Sequence, residues 1–388
     1  RGQNYCEYYE LDDCVNSFYG PMVPSTGYLE TFDLIKFYDK GMLLLLPNLS
    51  NSSEIKQVGE QKRMYEVFQE YREWNKILDV VTVGDLNSKF VNGRADSLIK
   101  VSEALHEKKI GHIADSIIAK GGVKVVLISG PSSSGKTTFS KRLAIQLIVS
   151  KRKPLTLSLD NYFVNRDDTP RDENGDYDFE SLDALDLKLF NQQLVALLNG
   201  ERVEIPKFSF EKGERFYDGD FMQLKEDDIL IIEGIHGVNP QLTASVSDDV
   251  KFKIYVSALT SLNFDHHTRI STTDNRLIRR IVRDYKYRNY SARDTISRWP
   301  SVRKGEELHI FPFQENVDVL FNSALSYELA VLKQFAEPIL LEVQPNQPEY
   351  GEARRLIRFF SYFKPLHADE IPPTSILREF LGGSSFVY

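Results

Sequence analysis

Val125-Val126-Leu127-Ile128-Ser129-Gly130-Pro131-Ser132-Ser133-Ser134-Gly135-Lys136-Thr137-Thr138 is the stretch that decides the fold. Its first four residues form a short unbroken apolar run, the pattern of a parallel strand buried on both faces, and a helical stretch over residues 136–150 follows the Gly/Ser loop. Residues 130–137 satisfy G-x-x-x-x-G-K-[ST], a loop whose backbone N–H groups wrap the phosphates of a nucleotide. Gly130 and Gly135 let the backbone approach closely. Lys136 is placed to reach the β- and γ-phosphates of a nucleotide, Thr137 to offer its hydroxyl to Mg2+, and the helix to add its positive N-terminal end. The strand before and the helix after are the context this motif requires, so a Ser-rich turn is the weaker reading.

Working outward, further strands are predicted at residues 155–159, 229–232, 251–256 and 338–343, with helical stretches between them, including 326–335. Such alternation implies an α/β fold, a P-loop NTPase with a doubly wound parallel sheet and helices on both faces. Upstream, residues 5–47 are rich in aromatics and short apolar runs broken by Gly, Pro and Asn, while 61–78 and 95–120 carry apolar residues at helical spacing. This predicts a smaller N-terminal α+β accessory domain. The expected division is 1–105 accessory region, 106–345 P-loop domain and 346–388 a tail packing on the body, its last part a short helix. The sequence opens on Arg1 rather than Met, so the accessory region is expected to belong to a longer one.

A hydrophobic content of 41% and a charged content of 27% are those of a soluble globular protein. The net charge of -8 argues against a general nucleic-acid or anionic-membrane binder, so no nucleic-acid partner is expected. The longest apolar runs are far short of the roughly 20 residues that span a bilayer, and no signal peptide is expected. Cys6 and Cys14 are the only cysteines, too few for a disulfide framework, and a reducing cytoplasm is the simpler setting. A homo-oligomer stays open.

No N-K-x-D guanine-reading motif follows the loop, which makes a phosphotransferase acting on a small molecule the leading class. In an open α/β sheet, ligands bind beyond the carboxyl ends of the strands, where Asp160 and Glu233 are predicted to stand. Asp160 is a candidate to accept the proton of an attacking hydroxyl, and Glu233 to hold Mg2+ through water or to orient the nucleophile. Arg276, Arg279, Arg280, Arg283 and Arg288 fall at helical spacing beside Leu277, Ile278, Ile281 and Val282, which predicts a helix with one packed and one basic side, a lid over the triphosphate. The acidic stretch 167–186 reads mostly as a solvated loop and helix start.

From 123 to 322 the sequence resembles the uridine kinase and phosphoribulokinase family of P-loop kinases. The resemblance rests on Gly130-Pro131-Ser132-Ser133-Ser134-Gly135-Lys136-Thr137-Thr138, Leu159-Asp160-Asn161-Tyr162-Phe163, Asp178-Phe179-Glu180 through Asp186, Ile205-Pro206-Lys207-Phe208-Ser209-Phe210, Ile232-Glu233-Gly234-Ile235 and the arginine helix. It implies ATP and Mg2+ as cofactors, with Asp160, Lys136, Arg280 and Arg283 in catalysis. Residues Gly130 to Thr138, with Arg288, would hold the nucleotide, and Thr137 and Glu233 the metal. Tyr162, Glu180, Phe208, Phe210 and Arg298 would face the acceptor, Glu180 standing where an aspartate usually binds ribose hydroxyls.

This sequence departs from the family at Phe208 and Gly213, where uridine kinases carry a tyrosine and a histidine that help read the pyrimidine. It also departs at Tyr290 and Arg298, where arginine and glutamine are common. A nucleoside is the leading acceptor. Another polyol or sugar alcohol is the alternative, and a non-catalytic ATP-binding regulator is the reading from a different class. Residues 20–29 and 371–380 resemble parts of longer bacterial members, whose N-terminal modules resemble those of threonyl-tRNA synthetases; the tail is expected to dock back onto the body.

Overall fold

Side chains of a strand alternate between faces, and in the computed structural model that alternation divides the core in two. The structure describes residues 8–388 except 17, 19, 21, 40, 49, 50, 56, 57, 173 and 174. Strands β1 (Val125–Ser129), β2 (Lys153–Ser158), β3 (Asp228–Glu233), β4 (Lys251–Ser257) and β5 (Val319–Asn322) form one parallel sheet in the order β5-β4-β1-β3-β2. The helices, in chain order, are α1 (Lys62–Ile77), α2 (Val83–Val91), α3 (Ala95–Lys120), α4 (Lys136–Val149), α5 (Leu187–Leu198), α6 (Thr272–Tyr287), α7 (Ala292–His309), α8 (Glu328–Leu340), α9 (Tyr350–Ser361) and α10 (Arg378–Leu381).

Val126, Ile128, Ile229, Ile231 and Ile254 face one core, built with residues of α2, α3, α4, α6, α7, α8, α9 and the tail. Val125, Leu127, Leu157, Leu230 and Ile232 face the other, closed by α5 and the loops around it. Beyond it, Tyr255 and Leu320 pack with Ile310 and, from α1, Met64, Val67 and Phe68. Every residue of β1 is buried, because both of its faces are covered. This is the doubly wound sheet with helices on both faces that the alternation predicts.

Upstream of α1, the described residues form two-stranded antiparallel hairpins, among them Asp33–Phe37 with Gly41–Leu45, which supply the small strand-containing region. Cys14 lies exposed in one hairpin; Cys6 lies outside the described residues. The 26-residue α3 passes through position 105 unbroken, with Ile99, Ile110, Ile113 and Ile117 in the main core.

The strand predicted at 338–343 is instead the last turn of α8 and the bend after it. Leu332, Ala336, Ile339, Leu340 and Val343 are buried while Leu341 is 61% exposed, so burial follows the helical period through the Ile-Leu-Leu run. The fifth strand lies earlier, at β5, too short beside the long α7 to stand out in the sequence. Residues 350–361, within the expected tail, form α9.

Candidate functional site

The strand register brings the chemistry to one edge. Glu233 stands opposite Ile128 of β1 and Ser158 of β2, so the loop 130–135, the turn carrying Asp160 and the Glu233 side chain leave the sheet together at its carboxyl end. Gly130 is at φ +152° with a virtual Cβ 2.0 Å from the Val256 carbonyl oxygen, so β4 lies too close for any side chain there. Gly135, at φ +84°, ends the loop in the left-handed region and starts α4.

Lys136 is buried, and its ammonium donates to the Pro131 carbonyl at 3.1 Å. Burial lowers its pKa, while the nearby charges of Glu233 and Asp160 oppose that shift. The Glu233 carboxyl is pushed up to about 7, first by burial and then by Asp160. Its Oε1 accepts from Ser158 Oγ at 3.2 Å and lies 3.5 Å from Thr137 Oγ1. A hydroxyl and a carboxylate on adjoining elements, both hard oxygens, fit Mg2+, which takes one or two protein oxygens and completes its shell with water and phosphate.

The arginines of α6 divide in a way their spacing does not reveal. Arg276 and Arg279 are fully buried and hold the loop from behind. Arg276 Nε donates to the Ser132 carbonyl at 3.0 Å and its Nη2 pairs with Glu306, whose Oε1 accepts the Ser132 N–H at 3.2 Å. Arg279 bonds the Ser323 carbonyl and pairs with Glu328. Arg280, Arg283 and Arg288 gather instead around the buried Asp284, at 3.2, 2.7 and 3.7 Å. Burial alone would raise the Asp284 carboxyl, but these guanidiniums outweigh it and hold it below the usual range. Arg280 Nη1 also reaches Ser132 Oγ at 3.2 Å. Arg288 is lowered to about 10, first by the charge of Arg283 and then by burial, with Asp160 opposing.

Three residues after Asp160, Phe163 joins Phe208 and Phe210 in an aromatic cluster with ring centroids 5.2–5.9 Å apart, and the Arg288 guanidinium lies 5.5 Å from the Phe210 ring. Gly213 is at φ +74°, and a Cβ there would come 2.7 Å from Arg166 Nε, so Arg166 fills the space of a side chain at 213. Glu180 is raised to about 7 by burial, with Arg280 opposing. It is seated because Gly305 of α7 has no Cβ, which would lie 2.4 Å from the Glu180 Cβ. Two expected acceptor residues are not brought to this cleft. Tyr162 is in the core, its hydroxyl on Gln193 at 2.7 Å, and Arg298 stacks on Tyr290 at 4.6 Å on the exposed side of α7.

Glu306, Arg166 and Glu379 join the site without having been singled out from the sequence. Glu379, from α10, accepts from the Thr138 N–H at 3.0 Å and the Thr138 hydroxyl at 2.7 Å across 241 residues. No local pattern signals a contact over that separation.

The profile of the Phosphoribulokinase / Uridine kinase family matches residues 125–329. The chain is 25% identical over 194 residues to a uridine kinase of Halobacterium salinarum, covering 50% of this chain and 77% of that one. It is 28% identical over 197 residues to a uridine kinase of Mycoplasma genitalium, covering 50% and 83%. A solved structure of a possible uridine kinase from Bacillus stearothermophilus aligns over 55% of this chain and 98% of its own, at 19% identity and a TM-score of 0.38. With the family profile covering the phosphate loop, the carboxylate-bearing strands and the arginine helix, the chain belongs to the phosphoribulokinase/uridine kinase family, P-loop kinases that transfer phosphate to hydroxyl groups.

Proposed function

We propose that the protein transfers the γ-phosphoryl group of ATP to a hydroxyl of a small molecule, with a nucleoside as the leading acceptor. The observation that carries this reading is the geometry at the carboxyl end of the sheet, where Lys136, Glu233 and the turn bearing Asp160 stand together beside a phosphate loop. A nucleotide-binding regulator would have no need of a carboxylate at Asp160.

In this mechanism the loop 130–138 binds the triphosphate, with Lys136 on the β- and γ-phosphates. Thr137 and Glu233 would hold Mg2+, which neutralises charge on the phosphates when bound. Asp160 accepts the proton of the acceptor hydroxyl as its oxygen bonds to the γ-phosphorus and the bond to the β-phosphate oxygen breaks, releasing ADP. Arg280, Arg283 and Arg288 stabilise the charge spread over the transferring group.

For the acceptor, the names of the Halobacterium and Mycoplasma relatives favour a nucleoside, and the aromatic cluster offers a ring a face to lie on. Phe208 and the space filled by Arg166 at Gly213 leave the base without the polar readers of uridine kinases, which favours broad acceptance of bases or another polyhydroxylated acceptor, with Glu180 gripping hydroxyls. The test is kcat/KM for uridine, cytidine, purine nucleosides and several polyols at one ATP concentration. Weak discrimination among bases with strong dependence on the hydroxyl pattern is expected. A preference of roughly a thousandfold for uridine or cytidine over every other acceptor would refute the broad reading, and ATP consumption with no acceptor would refute the kinase itself.

A further inference from the structure

Thr138 is the third residue of α4, so its N–H is one of the helix-start donors left free for an anion. Lys136 serves the β- and γ-phosphates and Thr137 faces Glu233. The next donor along the helix, Thr138, falls to the α-phosphate, the remaining group that such a loop cradles. In this chain those donors are already engaged. The Glu379 carboxylate accepts both the N–H at 3.0 Å and the hydroxyl at 2.7 Å, and the Tyr388 hydroxyl is 2.8 Å from the same Thr138 oxygen.

The segment that delivers Glu379 is anchored. Ile376, Leu377 and Phe380 are fully buried, Ile376 lies against Gly135, and Phe380 lies 5.0 Å from the Arg279 guanidinium. Glu379 itself is only partly buried, so its side chain can swing away while the helix stays seated. A carboxylate and a phosphate are both anions and both acceptors; two of them cannot share one N–H and one hydroxyl without strong repulsion.

We propose that Glu379 is an internal competitor for the α-phosphate of the donor nucleotide and so sets how tightly the protein holds ATP and ADP. The proposal rests on the nucleotide site described above. A nucleotide binds by displacing the Glu379 carboxylate from Thr138, which weakens its apparent affinity. Pyrophosphate, which needs only the β- and γ-positions, escapes the competition.

The experiment measures dissociation constants for Mg-ADP and Mg-pyrophosphate by calorimetry with the full chain and with Glu379→Gln and Glu379→Ala. Both variants are expected to bind Mg-ADP about ten- to a hundredfold more tightly, the range of one hydrogen bond to a charged group, and pyrophosphate within about twofold of the parent. A gain in affinity cannot come from a variant that fails to fold, and the alanine variant repeats the test without the amide of glutamine. Unchanged or weaker Mg-ADP binding in either variant would overturn the proposal, as would equal tightening of both ligands, which would mark a general loosening of the site. If the parent binds Mg-ADP and the variants gain nothing, only the competition falls. If no form binds Mg-ADP, the nucleotide site falls with it.

Discussion

Glu306→Ala removes the carboxylate that pairs with the buried Arg276 guanidinium and also holds the phosphate loop. Glu306 and Arg276 are 0% and 1% exposed, and Glu306 also holds the Ser132 N–H and pairs with Arg303 at 3.2 Å. Breaking such a pair leaves Arg276 charged and uncompensated in the interior, at a cost of about 3–5 kcal/mol. At about 2–4 °C per kcal/mol for a domain of this size, thermal unfolding should begin roughly 6–20 °C lower, read by circular dichroism. The double variant Arg276→Met with Glu306→Leu replaces the pair by apolar groups and should recover most of that loss. It should not recover nucleotide binding, because the Ser132 N–H and carbonyl both lose their partners and the loop loses its tether; Mg-ATP affinity should stay down by roughly tenfold. A drop of less than about 2 °C in Glu306→Ala, or full recovery of both stability and affinity in the double variant, would refute the view of this pair as a clamp on the loop.

Lys136→Ala should abolish phosphoryl transfer, measured as ADP formation, by removing the positive charge from the β- and γ-phosphates; unchanged turnover would contradict the mechanism. Asp160→Asn should lower kcat by roughly a hundredfold or more while Mg-ATP affinity stays within a few fold, and lost nucleotide binding without a kcat effect would make Asp160 a metal or structural residue. With Glu233 raised to about 7, Mg2+ affinity should weaken about tenfold per unit as pH falls below that value, and Glu233→Gln should flatten the profile. Stability of the unliganded protein has the opposite sign. The native state binds more protons at Glu233 and Glu180 than the unfolded chain does, so their contribution is complete below the ordinary glutamate range and is lost as pH rises through about 7. Unfolding midpoints that rise across that interval would contradict the assignment.

The sheet and the loop were legible because they depend on local pattern. A buried parallel strand reads as Val-Val-Leu-Ile, and its two glycines are dictated by backbone approach, such as the 2.0 Å left beside Val256. The carboxylates at the strand ends were legible because topology sends every such residue to one edge. The basic helix was read correctly as a helix but not in its division, since spacing puts Arg276 and Arg279 among exposed lid residues whereas Glu306 and Glu328 draw them inside. Those partners lie 30 and 49 residues away. Glu379 was unreadable for the same reason, and the 338–343 run misled because Ile-Leu-Leu suits either a strand or the end of a helix.

The two rims of the sheet are guarded differently. β2 carries Lys153 and Pro154 at its start, residues that discourage a foreign strand from pairing. β5 has no such protection of its own; α1 provides it from outside, Tyr71 donating to the Asn322 carbonyl at 3.0 Å and Arg63 to the Asp318 carbonyl at 2.8 Å. A fragment trimmed to the family-matched residues 125–329 would carry every residue of the proposed chemistry but lose α1, leaving the outer edge of β5 bare, and lose the helices that close the main core, inviting aggregation. α1 thus shields the outer edge of β5.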